Sequence, residues 1–403
     1  MLRKIAVSDL TLGMYIHEFC RPRINDPFWT SHVERELRDE AVLRQIQAST
    51  REVWIDTRLG KSPAEQSSIL ASGPTTACDS ESDSDTSPAS MEQELARARL
   101  ICGRAKAAVM TMFSDARMGR SMNTEDVDLL VEEISTSVMR HPHALISLSR
   151  LKTSDEYTYM HSVAVCALMV ALARQMNLDE EQVREAGVAG LMHDVGKMMI
   201  PNTILNKPDR LTFDEFEAMK HHPQAGLEIL QGCQQVTHAV MDVCLHHHEK
   251  VDGSGYPHGL KGEQISQLAR MGAICDVYDA VTSDRPYKKG WDAARSVREM
   301  ASWKGHFDEK IFQHFVKTVG IYPVGALVRL KSERLGIVIE QGEKSLLHPK
   351  VKIFMSAKTR IMFTPEVINL ACAQEQDAIV KFELAEDWGV HNVDEMWAGC
   401  PAG

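Results

Sequence analysis

Histidine is frequent in this chain, with 17 copies in 403 residues, and ten of them fall between His161 and His306. A lone histidine on an apolar face is usually structural, because one hydrogen bond can satisfy its ring. That interpretation weakens where histidine, aspartate and lysine recur in fixed local groupings, as they do here. Imidazole nitrogens suit Mn, Fe or Zn, and carboxylates add hard, charged oxygen ligands. The stretch therefore predicts a metal site.

The first grouping is the run HDVGK, from His193 to Lys197. On a predicted helix, the adjacent His193 and Asp194 can both turn toward one cation, and Lys197 lies one turn beyond on the same face. A carboxylate such as Asp194 can also bridge two metal ions. His161, from the preceding helix, and Asp276, in AICDVYDA, are the natural partners that close the same coordination shell.

The second grouping contains His222 and the run His246–His248. His222 precedes Pro223, so we expect an extended backbone where one helix stops and another starts. The three consecutive histidines end a helical run, and a solvated helix end near the negative pole of the helix dipole is the simpler interpretation. Together with Asp194, however, these histidines supply the ligand types that a second metal requires.

The elements around these residues predict a mainly α protein of several domains. Residues 1–60 hold the apolar runs KIAV, GMYIHEF and VWID with a helical ELRDEAVLRQIQ between them, which indicates a small α+β domain. Residues 61–90 are rich in Ser, Asp and Pro and predict a disordered acidic linker. Residues 91–153 predict a helical connector, 154–319 an all-helical domain, and 320–403 a small β-rich region.

Several helices and strands are predicted individually. TEDVDLLVEEISTSVMR and the apolar VAVCALMVALA each predict a helix, the second one buried, and Thr212 with Glu215 is a T-x-x-E helix start. The runs ALVRL, GIVIE, VKIFM and AIVKFEL predict strands after residue 320.

Composition limits the functional classes. The net charge of −11 argues against a general DNA- or RNA-binding protein, because no basic surplus neutralises phosphates. Nine scattered cysteines without a C-x-x-C pair fit a reducing compartment. The N-terminal residues lack the apolar core of a signal peptide, and the longest apolar run, Val163 to Ala173, is too short to span a bilayer. We therefore expect a cytoplasmic protein without membrane insertion.

The segment from about 154 to 318 resembles an HD-GYP domain of the HD superfamily. The motifs that carry the resemblance are HDVGK, IPNTILNKPDRLTFDEFEAMKHHP, HHEKVDGSGYPHGLKGEQI and ARMGAICDVYDAVTSDRPYKK. KIAVSDLTLGMYIHEF and VWIDTRLG are similar to an N-terminal domain of unknown function that is often fused to HD-GYP domains, for which we expect regulation or dimerisation. The resemblance implies an all-helical HD-type metal phosphohydrolase core and a phosphodiesterase that hydrolyses cyclic di-GMP.

The resemblance also implies the metal ligands. The first metal would be held by His161, His193, Asp194 and Asp276. The second would be held by Asp194 as a bridge with His222, His247 and His248. His221 and His246 are then neighbours rather than ligands. Some family members take a third metal from a Glu one turn before the first His, where this chain has Tyr157 with Glu156 beside it, so two ions, Fe or Mn, are expected.

The implied mechanism uses a hydroxide that bridges the two metals, with Asp194 and Lys197 as the catalytic residues. Two cations ~3.5–4 Å apart can lower the pKa of a shared water and clamp the attacking and leaving oxygens. The residues expected to bind the substrate phosphates are Arg285, Lys288 and, more weakly, Lys207. Simple surface charge is the alternative for each.

Gly255, Tyr256 and Pro257 form the GYP loop, and a plain connector between helices is the alternative interpretation. The resemblance implies a role at the pocket rim and contacts with GGDEF-type diguanylate cyclases. A homodimer is a further expectation.

Three alternatives stay open at this point. The chain could be a catalytically silent binding module that senses the nucleotide or recruits a cyclase. It could be another HD phosphohydrolase acting on nucleoside monophosphates, dNTPs or (p)ppGpp, although the extra histidines and the GYP loop argue against that. Its substrate could be 3′,3′-cGAMP. Whether the product is linear pGpG or GMP is also open.

Overall fold

The structure is a computed structural model of the chain. It describes residues 2–6, 10–11, 14–19, 35–36, 52–56, 89–120, 124–149, 157–207, 209–233, 235–283, 290–342, 345–372, 377–390 and 393–398. The chain divides into two compact units, Met1–Asp79 and Ser80–Gly403. The acidic linker expected over 61–90 lies, up to residue 88, outside the described residues.

The first unit contains an antiparallel sheet of four strands in the order β1-β4-β2-β3. The strands are β1 Leu2–Ala6, β2 Tyr15–Phe19, β3 Arg35–Glu36 and β4 Glu52–Asp56. The three predicted apolar runs correspond to β1, β2 and β4. Glu36, expected at the start of a helix, belongs instead to β3, and the rest of that expected helix lies outside the described residues.

The second unit is mostly helical, as predicted. Its helices are α1 Met91–Arg117, α2 Thr124–Arg140, α3 Pro142–Ser149, α4 Tyr157–Gln175, α5 Glu180–Met192, α6 Asn202–Leu205, α7 Phe213–Met219, α8 His222–Gln231, α9 His238–His246, α10 Gln267–Thr282, α11 Ala293–Ser302, α12 Glu309–Val319 and α13 Val393–Ala398. Short 3₁₀ helices cover Val195–Met199, Gly262–Gln264 and Ala385–Trp388. The predicted start of α7 is confirmed, because Thr212 and Glu215 form a reciprocal capping box.

Helix α4 lies at the centre of the helical core. Each residue from Val163 to Ala173 is at most 5% exposed, so this helix is apolar on all sides, as the sequence predicted. It packs against α1, α2, α3, α5, α10 and α12. Among the helices that the structure describes, none combines the length and apolarity needed to cross a bilayer.

The helices before residue 154 share this core. Buried side chains of α1 and α2, such as Phe113 and Ile134, belong to the same apolar cluster as α4. The ring of Phe113 lies 5.9 Å from that of Tyr159 in α4. The predicted domain boundary at 153/154 stays a prediction, but α1–α3 pack as part of the helical body.

A five-stranded antiparallel sheet follows, in the order β8-β7-β6-β5-β9. Its strands are β5 Leu327–Leu330, β6 Arg334–Glu340, β7 Lys350–Ser356, β8 Met362–Asn369 and β9 Ile379–Phe382. The four predicted strand runs are confirmed as β5, β6, β7 and β9, whereas β8 was not predicted. The predicted fold class, a mainly α protein with a β-rich C-terminal region, is confirmed.

Candidate metal centre

Helices of the second unit bring seven predicted ligand residues together. The side chains come from within α4 and α10, from the turns that follow α5 and α9, and from the first residue of α8. They form two compact groups, within each of which the ligand atoms lie within 4.8 Å of one another. One group is His161, His193 and Asp276; the other is Asp194, His222, His247 and His248.

Asp194 lies between the two groups. Its Oδ2 is 3.4 Å from Nε2 of His161 and 3.3 Å from Nε2 of His193. Its Oδ1 is 3.4 Å from Nε2 of His222 and 3.7 Å from Nε2 of His247. One carboxylate therefore presents a different oxygen to each group, which is the arrangement of a bridging ligand.

Asp276 also reaches both groups. Its Oδ1 lies 3.0 Å from Nε2 of His161, and its Oδ2 lies 3.7 Å from Nδ1 of His248. Both Asp194 and Asp276 are buried. Two buried carboxylates in one cavity require compensating positive charge, because burial of an unpaired charge is costly.

Three histidines share one orienting device. Their Nδ1 atoms point back to a backbone carbonyl three residues earlier in the chain. The Nδ1–oxygen distances are 2.8 Å from His193 to Gly190, 2.8 Å from His222 to Met219 and 2.9 Å from His247 to Cys244. With the proton on Nδ1, the Nε2 lone pair of each ring is directed at the centre, as a metal-ligating histidine requires.

His161 is oriented differently, by a residue that was not among the predicted site residues. Its Nδ1 lies 2.6 Å from Oδ2 of the buried Asp279. Asp279 follows Asp276 by three residues on α10, so both carboxylates lie on one face of that helix. The D-x-x-D spacing was the available signal.

Burial and charge set the protonation of the centre. Burial lowers the pKa of His222 to about 3 and that of His248 to about 4, so both imidazoles are neutral at neutral pH. Burial also opposes charge on His161, but its hydrogen bonds to Asp194, Asp276 and Asp279 outweigh this effect and raise its pKa to about 10.

The carboxyl groups stay ionised. Burial alone would raise the pKa of Asp194, but the ammonium of Lys197 and the ring of His193 hold it well below its usual range. Nζ of Lys197 lies 2.5 Å from Oδ2 of Asp194. For Asp276, burial is likewise outweighed by the hydrogen bond with His161 and the nearby His248. Neutral imidazoles and ionised carboxylates are the forms that bind metals.

The donor set fits a pair of divalent cations. Oδ1 of Asp194 is buried and accepts no hydrogen bond from the described residues. A buried carboxylate oxygen that accepts no hydrogen bond is suited to act as a ligand to a cation. The oxygen faces the Nε2 lone pairs of His222 and His247, which also require an acceptor of electron pairs.

The local structure differs from two expectations. His193 and Asp194 lie in the turn after α5, and the 3₁₀ helix Val195–Met199 follows, so HDVGK is not on a regular α-helix. The break directs the Nδ1 of His193 to the carbonyl of Gly190. α7 ends at Met219 and α8 begins at His222, so the predicted helix boundary is present, but His222 is helical rather than extended.

The neighbouring histidines point elsewhere. His221 is exposed. His246 binds Asp242 through Nδ1 at 2.7 Å and His258 through Nε2 at 3.0 Å. Position 222 and the pair 247–248 are therefore the ones that enter the centre.

The centre opens into a cleft of about 920 Å³. Its lining includes Lys197, Tyr256 and residues 204–207 and 209–211. Lys207 is engaged by Glu215, whose carboxylate oxygens lie 2.9 and 2.6 Å from Nζ. Arg285, Lys288 and Glu156 lie outside the described residues, as does the side chain of Tyr157.

The GYP loop forms part of the cleft rim. The ring of Tyr256 stacks on that of His248, with centroids 4.7 Å apart and an interplanar angle of 27°. A Cβ on Gly255 would overlap the backbone of Glu249 and Lys250, so this position requires glycine. The peptide bond between Tyr256 and Pro257 is cis. The loop thus packs directly on a histidine of the second group.

Comparison with known proteins adds two family matches. The HD domain matches residues 136–311, and a domain of unknown function, DUF3391, matches residues 2–127. The cyclic di-GMP phosphodiesterase PA4108 of Pseudomonas aeruginosa is 54% identical over 404 residues, which cover 99% of this chain and 96% of that protein.

Two further relatives match less of the chain. The cyclic di-GMP phosphodiesterase response regulator RpfG of Xanthomonas campestris pv. campestris is 40% identical over 172 residues, 41% of this chain and 45% of that protein. The 3′3′-cGAMP-specific phosphodiesterase 2 of Vibrio cholerae is 34% identical over 194 residues, 47% of this chain and 36% of that protein.

Proposed function

We propose, on the premise that this chain belongs to the HD-domain phosphodiesterase family, that it hydrolyses cyclic di-GMP. Membership rests on the identity to PA4108 along nearly the whole of both chains. The observation that carries the activity is the position of Asp194, whose two oxygens face different histidine groups. A shared carboxylate of this kind suits a cation pair that acts on a phosphodiester.

The chain would hold two divalent ions. One would be bound by His161, His193, Asp194 and Asp276, and the other by Asp194, His222, His247 and His248. Five imidazoles and two carboxylates suit Fe or Mn, which accept mixed nitrogen and oxygen ligands. When bound, the ions would supply Lewis-acid polarisation of the phosphodiester and a water of lowered pKa as the nucleophile.

The chain's own residues prepare the reaction in three ways. Lys197 lines the cleft, and its ammonium donates a hydrogen bond to Oδ2 of Asp194. The same ammonium can donate a second hydrogen bond to a phosphate oxygen as negative charge grows there. Asp279 holds the ring of His161 in place. The cleft wall positions the substrate. Cleavage of one phosphodiester bond gives linear pGpG, and cleavage of the second gives GMP.

Substrate contacts from Arg285 and Lys288 remain part of this proposal, since a guanidinium can bind a phosphate through two hydrogen bonds. Lys207 is held by Glu215 in this structure, and it would contact substrate only by exchanging that partner. Contacts of the GYP loop with GGDEF-type cyclases, a homodimer and a cytoplasmic location stay predictions.

One observation favours a second substrate. The Vibrio cholerae relative whose name specifies 3′3′-cGAMP is 34% identical to this chain. We therefore include 3′,3′-cGAMP as a second candidate substrate for the same centre. The two nucleotides share the ring of phosphodiester bonds and differ in one base.

The decisive experiment is chromatography of cyclic di-GMP incubated with purified protein loaded with Mn(II) or Fe(II). We expect conversion to pGpG or GMP, and a chelator should abolish it. Unchanged cyclic di-GMP with fully loaded protein would overturn the proposal. The same assay with 3′,3′-cGAMP ranks the two substrates.

The variant Asp194→Asn tests the role of the shared carboxylate. We expect it to lose bound metal, measured by mass spectrometry of the ions, together with hydrolysis. The matched control is Asp242→Asn, which changes a carboxylate that contacts His246 outside the two groups. If the chain were a catalytically silent binding module, the wild type would show no hydrolysis, and Asp194→Asn would keep the cellular effect of the wild type.

A further inference from the structure

The lining of the cleft includes two side chains without an assigned role. Arg210 and Phe216 both line the cleft, and neither belongs to the metal centre. Arg210 precedes α7 and Phe216 lies within it. Helix α7 has no buried residue among its seven.

Phe216 is an exposed aromatic ring in a concave site. It is 45% exposed, although contact of a phenyl ring with water is unfavourable. Nζ of Lys220 lies over the ring, 4.9 Å from its centroid. Because one ammonium covers only one face of a ring, the remaining exposed surface is available for stacking.

The ring is linked to the metal centre through a short series of contacts. The same Nζ of Lys220 lies 5.8 Å from the ring centroid of Tyr256, and Tyr256 stacks on His248. Phe216 therefore lies on the same part of the rim as the GYP loop.

Arg210 is a cation without a partner among the described residues. The lysines that line the described part of the cleft, Lys197 and Lys207, are ion-paired with Asp194 and Glu215. Arg210 is exposed and makes no ion pair or hydrogen bond with a described residue. An exposed guanidinium without a protein partner keeps its N–H donors available to a ligand.

We propose that Phe216 and Arg210 form a subsite for one guanine base of the substrate, with Phe216 stacking on the base and Arg210 donating hydrogen bonds to its O6 and N7 atoms. The inference rests on the proposed function, because it assumes a guanine-containing cyclic dinucleotide. Paired donation to O6 and N7 selects guanine, since adenine has an amino group in place of O6.

The stacking half is tested by Phe216→Leu. Loss of an aromatic stack on a base costs enough to raise the dissociation constant by about tenfold. We expect that increase for a fluorescent cyclic di-GMP bound to chelator-treated protein, which cannot turn the ligand over. The control is Phe213→Leu on the same helix, a residue that is 77% exposed and does not line the cleft. It should bind like the wild type.

The specificity half is tested by Arg210→Gln. Cyclic di-GMP and cyclic di-AMP are compared as competitors of bis-p-nitrophenyl phosphate hydrolysis by the loaded enzyme. We expect the preference for cyclic di-GMP to fall by about tenfold, because a bidentate contact to guanine supplies discrimination of that order. Arg298→Gln, an exposed arginine outside the cleft, is the control and should keep the wild-type ratio.

The outcomes separate the two proposals. Wild-type protein that neither binds nor cleaves cyclic di-GMP would overturn the proposed function. Wild-type protein that does both, with unchanged binding in Phe216→Leu and an unchanged ratio in Arg210→Gln, would overturn the guanine subsite alone. Circular dichroism melting curves identify any variant that fails to fold, and Phe216→Tyr, which keeps the ring, should then retain binding.

Discussion

The histidines of the centre differ in what holds their Nδ1 atoms. His193, His222 and His247 lie at helix boundaries, where they donate to carbonyls of the preceding turn. His161 lies within α4 and instead uses Asp279, from α10. The orientation of His161 therefore depends on the packing of two helices, whereas the other three rings are set locally.

Removal of Asp279 should weaken metal binding without removing a ligand. We expect Asp279→Ala to lower metal affinity about 10- to 100-fold, because carboxylates behind ligating histidines contribute that much. Competition with a chromophoric chelator measures the affinity. The matched control is Asp242→Ala, which removes the carboxylate behind His246, outside the two groups. Wild-type affinity in Asp279→Ala would contradict the positioning role.

Metal uptake should release a proton from His161. With a pKa raised to about 10, this ring is an imidazolium at pH 7 in metal-free protein, and a cation at Nε2 must displace its proton. His222 and His248, with pKa values of about 3 and about 4, are already neutral and release none.

Metal affinity at the group that contains His161 should depend on pH. Since protons compete at His161 below its pKa, metal affinity at its group should rise with pH above neutrality, by up to about tenfold per pH unit. Calorimetric titration at pH 7 in buffers of different ionisation enthalpy should show net proton release, to which His161 contributes one proton. Heats that are independent of the buffer would contradict this prediction.

At the scale of elements, the 3₁₀ helix Val195–Met199 and α8 are in backbone contact. A Cβ on Gly196 would overlap the carbonyl oxygen of His222 and the amide nitrogen of Gly226. The close approach brings Asp194 and Lys197 next to His222. Glycine is required here because the neighbouring atoms are backbone and cannot rotate away.

Gly196→Ala should separate these two elements. We expect a loss of about 3 kcal/mol of unfolding free energy, as overpacking against rigid backbone gives, together with loss of bound metal. Gly103→Ala is the control, because a Cβ at that position in α1 meets nothing within 4 Å. It should stabilise the helix by ~0.5–1 kcal/mol. Denaturant titration compares the two, and equal stabilities would contradict the packing argument.

At the scale of the whole chain, α1 and α2 complete the helical core. Ile101, Val109 and Phe113 of α1 and Val131 and Ile134 of α2 are each at most 2% exposed. They cover one side of α4 and α5. Helices α1–α3 are therefore structurally part of the body that carries the metal centre.

Truncation at two positions tests this. A fragment of residues 80–403 keeps the whole second unit and should fold and bind metal like the full chain. A fragment of residues 154–403 loses α1–α3 and exposes their apolar contact surface, so it should melt lower and bind a hydrophobic dye. The melting temperature and the metal content are measured for both fragments. Equal melting of the two fragments would show that α1–α3 are dispensable.

Much of this protein follows from local pattern. Residue types and short spacings identified the metal-binding chemistry, the buried helix α4 and four strands of the C-terminal sheet, because each depends on contacts close in sequence. Strand β8 was missed because its side chains are mostly exposed and it contains Pro365, which suits an edge strand but breaks the expected pattern.

What only the tertiary structure decided is which distant groups meet. Asp279 and His161 are 118 positions apart in sequence yet in hydrogen-bond contact. The division of the two oxygens of Asp194 between the histidine groups depends on how α4, α5, α8 and α9 pack. The sequence alone specified the chemical types of the ligands, because residue identity is local. Their distances and orientations depend on helix packing, which no short stretch of sequence contains.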